Sequence, residues 1–248
     1  AWGSNDHGKT DVPADLSNVV AISSGWHHNL ALRPDGTVVG WGWNTYGQAQ
    51  VPDDLTSVRA VYGLGLASLA LKYDGTLVGW GASGYGASIP ANLNDVVSVA
   101  GGTYHALALK SDGTVVAWAG DSDTDAGFVP DNLNNVIAIA AGQDHNAALK
   151  LDGTVVAWGE NNYGQTNIPE GLNNVTAIAT GAAHVLALKS DGTMVGWKPN
   201  FSYGQGTIPD NLDSVVSIAA GVQSHHSLAL RSDGTVVAWG RNDNNQMN

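Results

Sequence analysis

Tryptophans at Trp2, Trp41, Trp80, Trp118, Trp158, Trp197 and Trp239 are separated by 39, 39, 38, 40, 39 and 42 residues. Around each interval one phrase returns: a Pro-x-x-Leu turn, an apolar run, a Gly-x-x-His-like turn, Leu-Ala-Leu, Asp-Gly-Thr and Val-Val-Ala-Trp-Gly. A period of about forty residues holding several short strands marks propellers and related arrays, because one unit cannot bury its own face. The Asp-Gly-Thr turn occurs six times, at Asp35, Asp74, Asp112, Asp152, Asp191 and Asp233, and the proline turn six times, at Pro13, Pro52, Pro90, Pro130, Pro169 and Pro209. These counts predict one all-β domain over residues 1–248, a six-bladed β-propeller of about 39-residue repeats. An incomplete or seven-bladed ring is the alternative.

The fourth unit serves as a template. Val136–Ala140 is a short apolar run and reads as the inner strand, Ala147–Leu149 as a second strand and Thr154–Trp158 as a third, with Asp152-Gly153 supplying the positive φ of a tight hairpin. Gln165–Ile168 reads as a fourth strand, ended by Pro169, which cannot donate to a ladder. In a closed ring Thr10–Val12 would then complete the blade whose inner strands are C-terminal. Only one of Trp2 and Trp239 can occupy that closing strand.

Composition limits the partners. Ten Lys and Arg against 22 Asp and Glu give a formal charge of −12, which would repel a phosphate backbone, so nucleic acid is not expected. No apolar run approaches the ~20 residues of a membrane span, so no membrane partner is expected. The absence of cysteine excludes disulfides but does not fix the compartment, whereas the opening inside the repeat at Ala1-Trp2-Gly3 reads as a mature or trimmed secreted chain; a monomer is expected.

Antiparallel order places the Gly-x-x-His and Trp-Gly-x-Asn turns on one face, here termed upper, and the Asp-Gly-Thr and Pro-x-x-Leu turns on the other. The lower face is uniform: Arg33, Lys72, Lys110, Lys150, Lys189 and Arg231 precede the six Asp-Gly turns at one offset. The upper face varies, and variable loops on a rigid scaffold are where binding residues collect. Trp26, His27, Trp43, Tyr46, Tyr85, Tyr104, Asp144, Tyr163, Phe201, Tyr203 and His225 are the candidate partner-binding residues, with Leu64 and Leu66 on the same turns. Aromatic side chains are the type enriched in interface hot spots.

His28, His105, His145, His184 and His226 share one repeat position. Radial repetition disperses them over five blades, too far apart to share an ion, so they read as buried rings bonding across blades. Asp121–Gly127 alternates carboxylates as a calcium loop does, but its glycine falls one place late and no acidic residue follows at the twelfth position, so a solvated turn is expected. No nucleophile elbow, zinc-protease motif, phosphate loop or cysteine nucleophile is present. The chain is therefore expected to be no enzyme and to hold no metal or cofactor.

Gly25-Trp26-His27-His28-Asn29-Leu30-Ala31-Leu32 with Gly40-Trp41-Gly42-Trp43-Asn44-Thr45-Tyr46-Gly47-Gln48 resembles the repeat of the regulator of chromosome condensation family. The compact period is most similar to that of the secreted bacterial β-lactamase inhibitory proteins of type II. Here six repeats stand in place of that group's seven, Ala67 replaces the repeat histidine, and Lys198-Pro199 interrupts the sixth Trp-Gly. The resemblance implies a non-catalytic binding module whose upper face engages another protein, in its finer form a β-lactamase-like enzyme. A secreted lectin-like propeller that binds a glycan is the alternative, although fold alone does not specify function.

Overall fold

The computed structural model describes residue 1 and residues 4–119, 126–197 and 203–243. It contains six separate three-stranded antiparallel sheets, each made of consecutive strands. The first blade is β1 (Ala21–Ser24), β2 (His28–Leu32) and β3 (Val38–Gly42); the second is β4 (Val58–Gly63), β5 (Ala67–Lys72) and β6 (Leu77–Gly81). The third is β7 (Val96–Gly101), β8 (His105–Lys110) and β9 (Val115–Ala119); the fourth is β10 (Val136–Ala141), β11 (His145–Lys150) and β12 (Val155–Gly159). The fifth is β13 (Val175–Thr180), β14 (Val185–Lys189) and β15 (Met194–Trp197); the sixth is β16 (Val215–Ala220), β17 (His226–Arg231) and β18 (Val236–Gly240). Six all-β blades are what the repeat count predicts.

The blades stack face to face. Middle strands direct a pair of apolar residues forward into a cluster with the next blade's inner-strand valine and its tryptophan: Leu107 and Leu109 meet Val136 and Trp158, Ala147 and Leu149 meet Val175 and Trp197, and Leu186 and Leu188 meet Val215 and Trp239. Leu107 and Leu186 have no exposed surface. Both faces of an interior blade are covered, so the runs are apolar rather than alternating.

The expected fourth strand is absent, and the physical reason lies in the next blade. Residues 165–168 form turns, with the Asn167 amide on the Gly164 carbonyl and the Ile168 amide on the Thr166 carbonyl. The Gln165 carbonyl instead accepts the Trp197 indole N–H at 2.9 Å. Trp80, Trp118 and Trp239 likewise reach back to Gln48, Gly86 and Gln205 at 3.0, 2.9 and 2.9 Å. The segments after Trp41, Trp80, Trp158 and Trp197 thus cover the following blade, and their backbone is spent on that blade rather than on a ladder.

The same rule corrects the expected closure. Residues 10–12 form no strand, and the Lys9 carbonyl accepts the Asn29 side-chain amide at 2.7 Å and the Trp41 indole at 3.2 Å. The N-terminal segment is therefore bound to the first blade. Trp239 occupies β18, while Trp2 lies outside the described residues.

On the lower face all six Pro-x-x-Leu turns close by the same bond from the leucine amide to the proline carbonyl, at 3.0–3.3 Å. Each Asp-Gly-Thr turn is held by its own aspartate, which accepts both the amide and the hydroxyl of the threonine; at Asp74 the distances are 3.0 and 2.6 Å. Those two bonds lower the Asp74 pKa, the hydroxyl contributing most. Four of the preceding lysines pair with these carboxylates at 3.5–3.9 Å. Arg33 and Arg231 instead donate to the carbonyls of Asp15 and Asn211.

Candidate functional site

Both upper turns of a blade lie side by side because they bond to each other. The amides of Trp43, Ala82, Glu160 and Arg241 donate to the carbonyls of His27, Leu66, Asp144 and His225 at 2.7–2.9 Å. The glycine after the tryptophan makes this approach feasible. Gly42 has φ 96°, and a Cβ there would run into the His27 carbonyl oxygen. The conformation presents residues 43–46 and 26–27 together.

Three aromatic groupings result. In the first blade, His7 stacks on Trp43 at 5.0 Å between centroids, while His27 and Tyr46 meet Trp43 edge-on at 5.6 and 5.7 Å. In the second grouping Trp26 of the first blade stands edge-on to Tyr85 and Tyr104 of the next two, at 5.7 and 6.1 Å, and the tyrosines lie 5.0 Å apart. These edge-to-face and tilted geometries suit ring quadrupoles. In the third, Tyr203 lies 5.7 Å from His225 and carries the Arg241 guanidinium 4.9 Å above its ring. Asp243 holds that guanidinium at 2.6 Å, and this bond raises the Arg241 pKa further.

Tyr46, Tyr104, Tyr163 and Tyr203 are 53, 37, 41 and 56% exposed. Trp26 and His27 are half-buried, and burial pushes the His27 pKa down, with Lys9 and His7 adding to the effect. Burial also lowers the His225 pKa, followed by the charge of Arg241. The faces of these rings are therefore neutral at neutral pH.

Asp144 and Tyr163 stand on the two upper turns of the fourth blade. Phe201 and the Asp121–Asp125 turn lie outside the described residues. Leu64 and Leu66 are 1 and 4% exposed; Leu64 fills the core between the second and third blades instead of the surface. Sequence reading missed His7, Arg241 and Asp243. His7 was detectable, since it precedes its turn glycine at the offset of Tyr46, Tyr85 and Tyr163.

Three of the five repeat histidines bond between blades. His28 and His184 direct Nε2 at Ser68 and Ser227, at 2.9 and 2.8 Å, and His105 directs Nε2 at Asn146 Oδ1 at 2.7 Å. Ser68 and Ser227 pass their own protons to the Gln48 and Gln205 carbonyls, so the imidazole is the donor in each pair. Burial lowers the pKa of His28 and His145 to about 4 and that of His184 to about 3. Among the described residues no group of three His, Cys, Asp or Glu could hold a metal ion.

Residues 19–48, 96–118, 136–165 and 215–246 match the regulator of chromosome condensation (RCC1) repeat, just under half of the chain. The chain thus carries RCC1 repeats. No curated protein matches the sequence significantly. Among solved structures, Prp20p of Saccharomyces cerevisiae, studied for its binding to Gsp1p and histones, aligns with a TM-score of 0.80 at 22% identity over 95% of this chain and 75% of that one. The complex of Kap60 with yeast RCC1 (Prp20) gives 0.77 at 22% identity over 94 and 72%. The receptor kinase CR4 ectodomain of Physcomitrella patens gives 0.75 at 19% over 91 and 65%. At these identities the likeness establishes the shared propeller fold.

Proposed function

We propose that this chain is a non-catalytic binding module whose upper face grips another protein. The observation that carries the reading is the contrast between faces. Lower turns repeat one self-satisfied pattern, whereas upper turns expose Tyr46, Tyr104 and Tyr203 in groupings that differ from blade to blade. Rigid aromatic area with few rotatable bonds suits an interface of ordinary size, about 800 Å² per partner. Prp20, of the same fold, has been studied for its binding to Gsp1p and histones, which supports a protein as the ligand class.

A β-lactamase-like enzyme is the finer form of this reading and rests on the likeness of the repeat. Titration of the full chain against a panel of class A β-lactamases tests it, and no inhibition at micromolar concentration removes that target. The wider reading is tested by affinity capture with wild type, Tyr46→Ala/Tyr104→Ala and Lys110→Ala/Lys150→Ala. The first variant should lose the partner and the lysine variant should keep it. Equal retention by both, or saturable binding of one simple sugar at several equivalent sites on a glycan array, would sink the proposal.

A further inference from the structure

Five inner strands carry a β-bulge at one place. Their ladders skip Arg59, Val97, Ile137, Thr176 and Val216, the second residue of each strand, which leaves that residue unpaired and re-aims its side chain. The inner strands of these successive blades lie against one another, so the five residues gather at the lower end of the ring. Ile137 and Val216 are 50 and 55% exposed there. Two hairpin residues widen the apolar area. The amides of Tyr73 and Leu151 donate to the Ser57 and Asn135 carbonyls beside the lower ends of β4 and β10, and their side chains are 73 and 72% exposed. Ser111, Ser190 and Ser232 make the same backbone bond in the third, fifth and sixth blades, so the turn itself requires no apolar side chain. Single exposed hydrophobic residues are ordinary, but a group of them at one end of a ring marks a contact surface.

A belt of carboxylates borders this patch. Asp53, Asp54, Asp131, Glu170 and Asp210 stand exposed on the proline turns of the same face, and among the described residues none of them forms an ion pair. The four lysines of the face are held by the hairpin carboxylates at 3.5–3.9 Å instead. The lower end therefore offers apolar side chains inside an anionic border.

We propose that this lower end is a second docking surface, for a cationic amphipathic polypeptide segment. Its leucine-like side chains would cover Tyr73, Ile137 and Leu151, and its lysines or arginines would meet the carboxylates of the proline turns. Opposite charge steers such a segment to the face and fixes its register. The same belt repels nucleic acid and anionic lipid, and a second copy of this chain would set carboxylates against carboxylates. Apart from Tyr73 the patch is aliphatic, which offers a sugar ring little to stack on. This inference is independent of the upper-face reading, since the two surfaces lie at opposite ends of the blades and share no residue.

The test is a fluorescence-anisotropy titration of the full chain into a labelled leucine–lysine amphipathic peptide, with an oligolysine of equal charge beside it. Wild type should bind the amphipathic peptide saturably at micromolar concentration and the oligolysine about tenfold more weakly or worse, because the oligolysine buries no apolar area. Tyr73→Ser/Leu151→Ser should weaken peptide binding about tenfold with Tm unchanged, both side chains being exposed. Asp53→Asn/Asp54→Asn/Asp131→Asn should weaken it severalfold and flatten its dependence on salt. Tyr46→Ala/Tyr104→Ala should bind the peptide as wild type does, which separates this surface from the upper face. No saturable binding, equal binding of the oligolysine, or an upper-face variant that loses as much as the lower-face ones overturns the proposal. So does a wild-type dimer that Tyr73→Ser/Leu151→Ser dissolves, since a second copy would then be the occupant.

Discussion

Single residues on the upper turns divide into those that hold the turns and those that the turns display. Gly42 holds: at φ 96° with its Cβ position on the His27 carbonyl, Gly42→Ala should cost about 2 kcal/mol or more, read by chemical denaturation. Gly47 has φ 78° and open space around it, so Gly47→Ala should cost only about 1 kcal/mol of strain. Equal losses would show that strain alone, not the carbonyl, governs the turn. Tyr104 is displayed, and Tyr104→Ala should weaken partner binding by about 2 kcal/mol with Tm little changed. Trp26 does both: half-buried against Tyr85 and Tyr104, its truncation should lower stability and affinity together.

At the level of elements, stability comes from contacts between neighbouring blades and from turns closed within each one. Leu107 has no exposed surface and packs in the cluster between the third and fourth blades, so Leu107→Ala should cost about 2–5 kcal/mol. Leu230 holds the forward-facing site of the sixth blade and is 37% exposed, so Leu230→Ala should cost much less. Thermal melts of the two variants measure the difference, and comparable losses would show that Leu230 is packed as deeply in solution. The Asp-Gly-Thr turn is local by comparison: Asp74→Ala removes two bonds to Thr76 and should cost about 1–2 kcal/mol.

Across the whole molecule the buried histidines set a pH response. Their folded pKa values lie below the ordinary value, at about 4 for His28 and His145 and about 3 for His184, because burial disfavours the charged ring. The unfolded chain binds protons near pH 6.5 while the folded chain does not, so stability is full above that pH. It falls as pH drops toward 4, by up to about 1.4 kcal/mol per pH unit for each histidine, and levels off below the folded values. The aspartates of the hairpin turns have lowered pKa values and act only in more acid solution. Denaturant melts between pH 7 and 4 should show this slope, and His28→Gln/His145→Gln should flatten it. A slope unchanged in the double variant would place the proton uptake elsewhere.

The sequence by itself determined the number of blades, the three laddered strands of each and the division into a uniform and a variable face. All of these are written in local periodicity: six Asp-Gly and six proline turns, Leu-x-Leu runs, and aromatics clustered before turn glycines. It also showed that the repeat histidines are structural, since one position per blade is dispersed by any radial array. What became of the segment after each tryptophan was decided only by tertiary structure. Gln165–Ile168 reads as a strand, but its carbonyl is taken by an indole 32 residues away, a competition invisible to any local pattern. Leu64 and Leu66 share the turns of the exposed aromatics, and only the approach of the third blade buries Leu64 in the core. The pairing of His7 with Trp43 likewise depends on where the N-terminal segment packs.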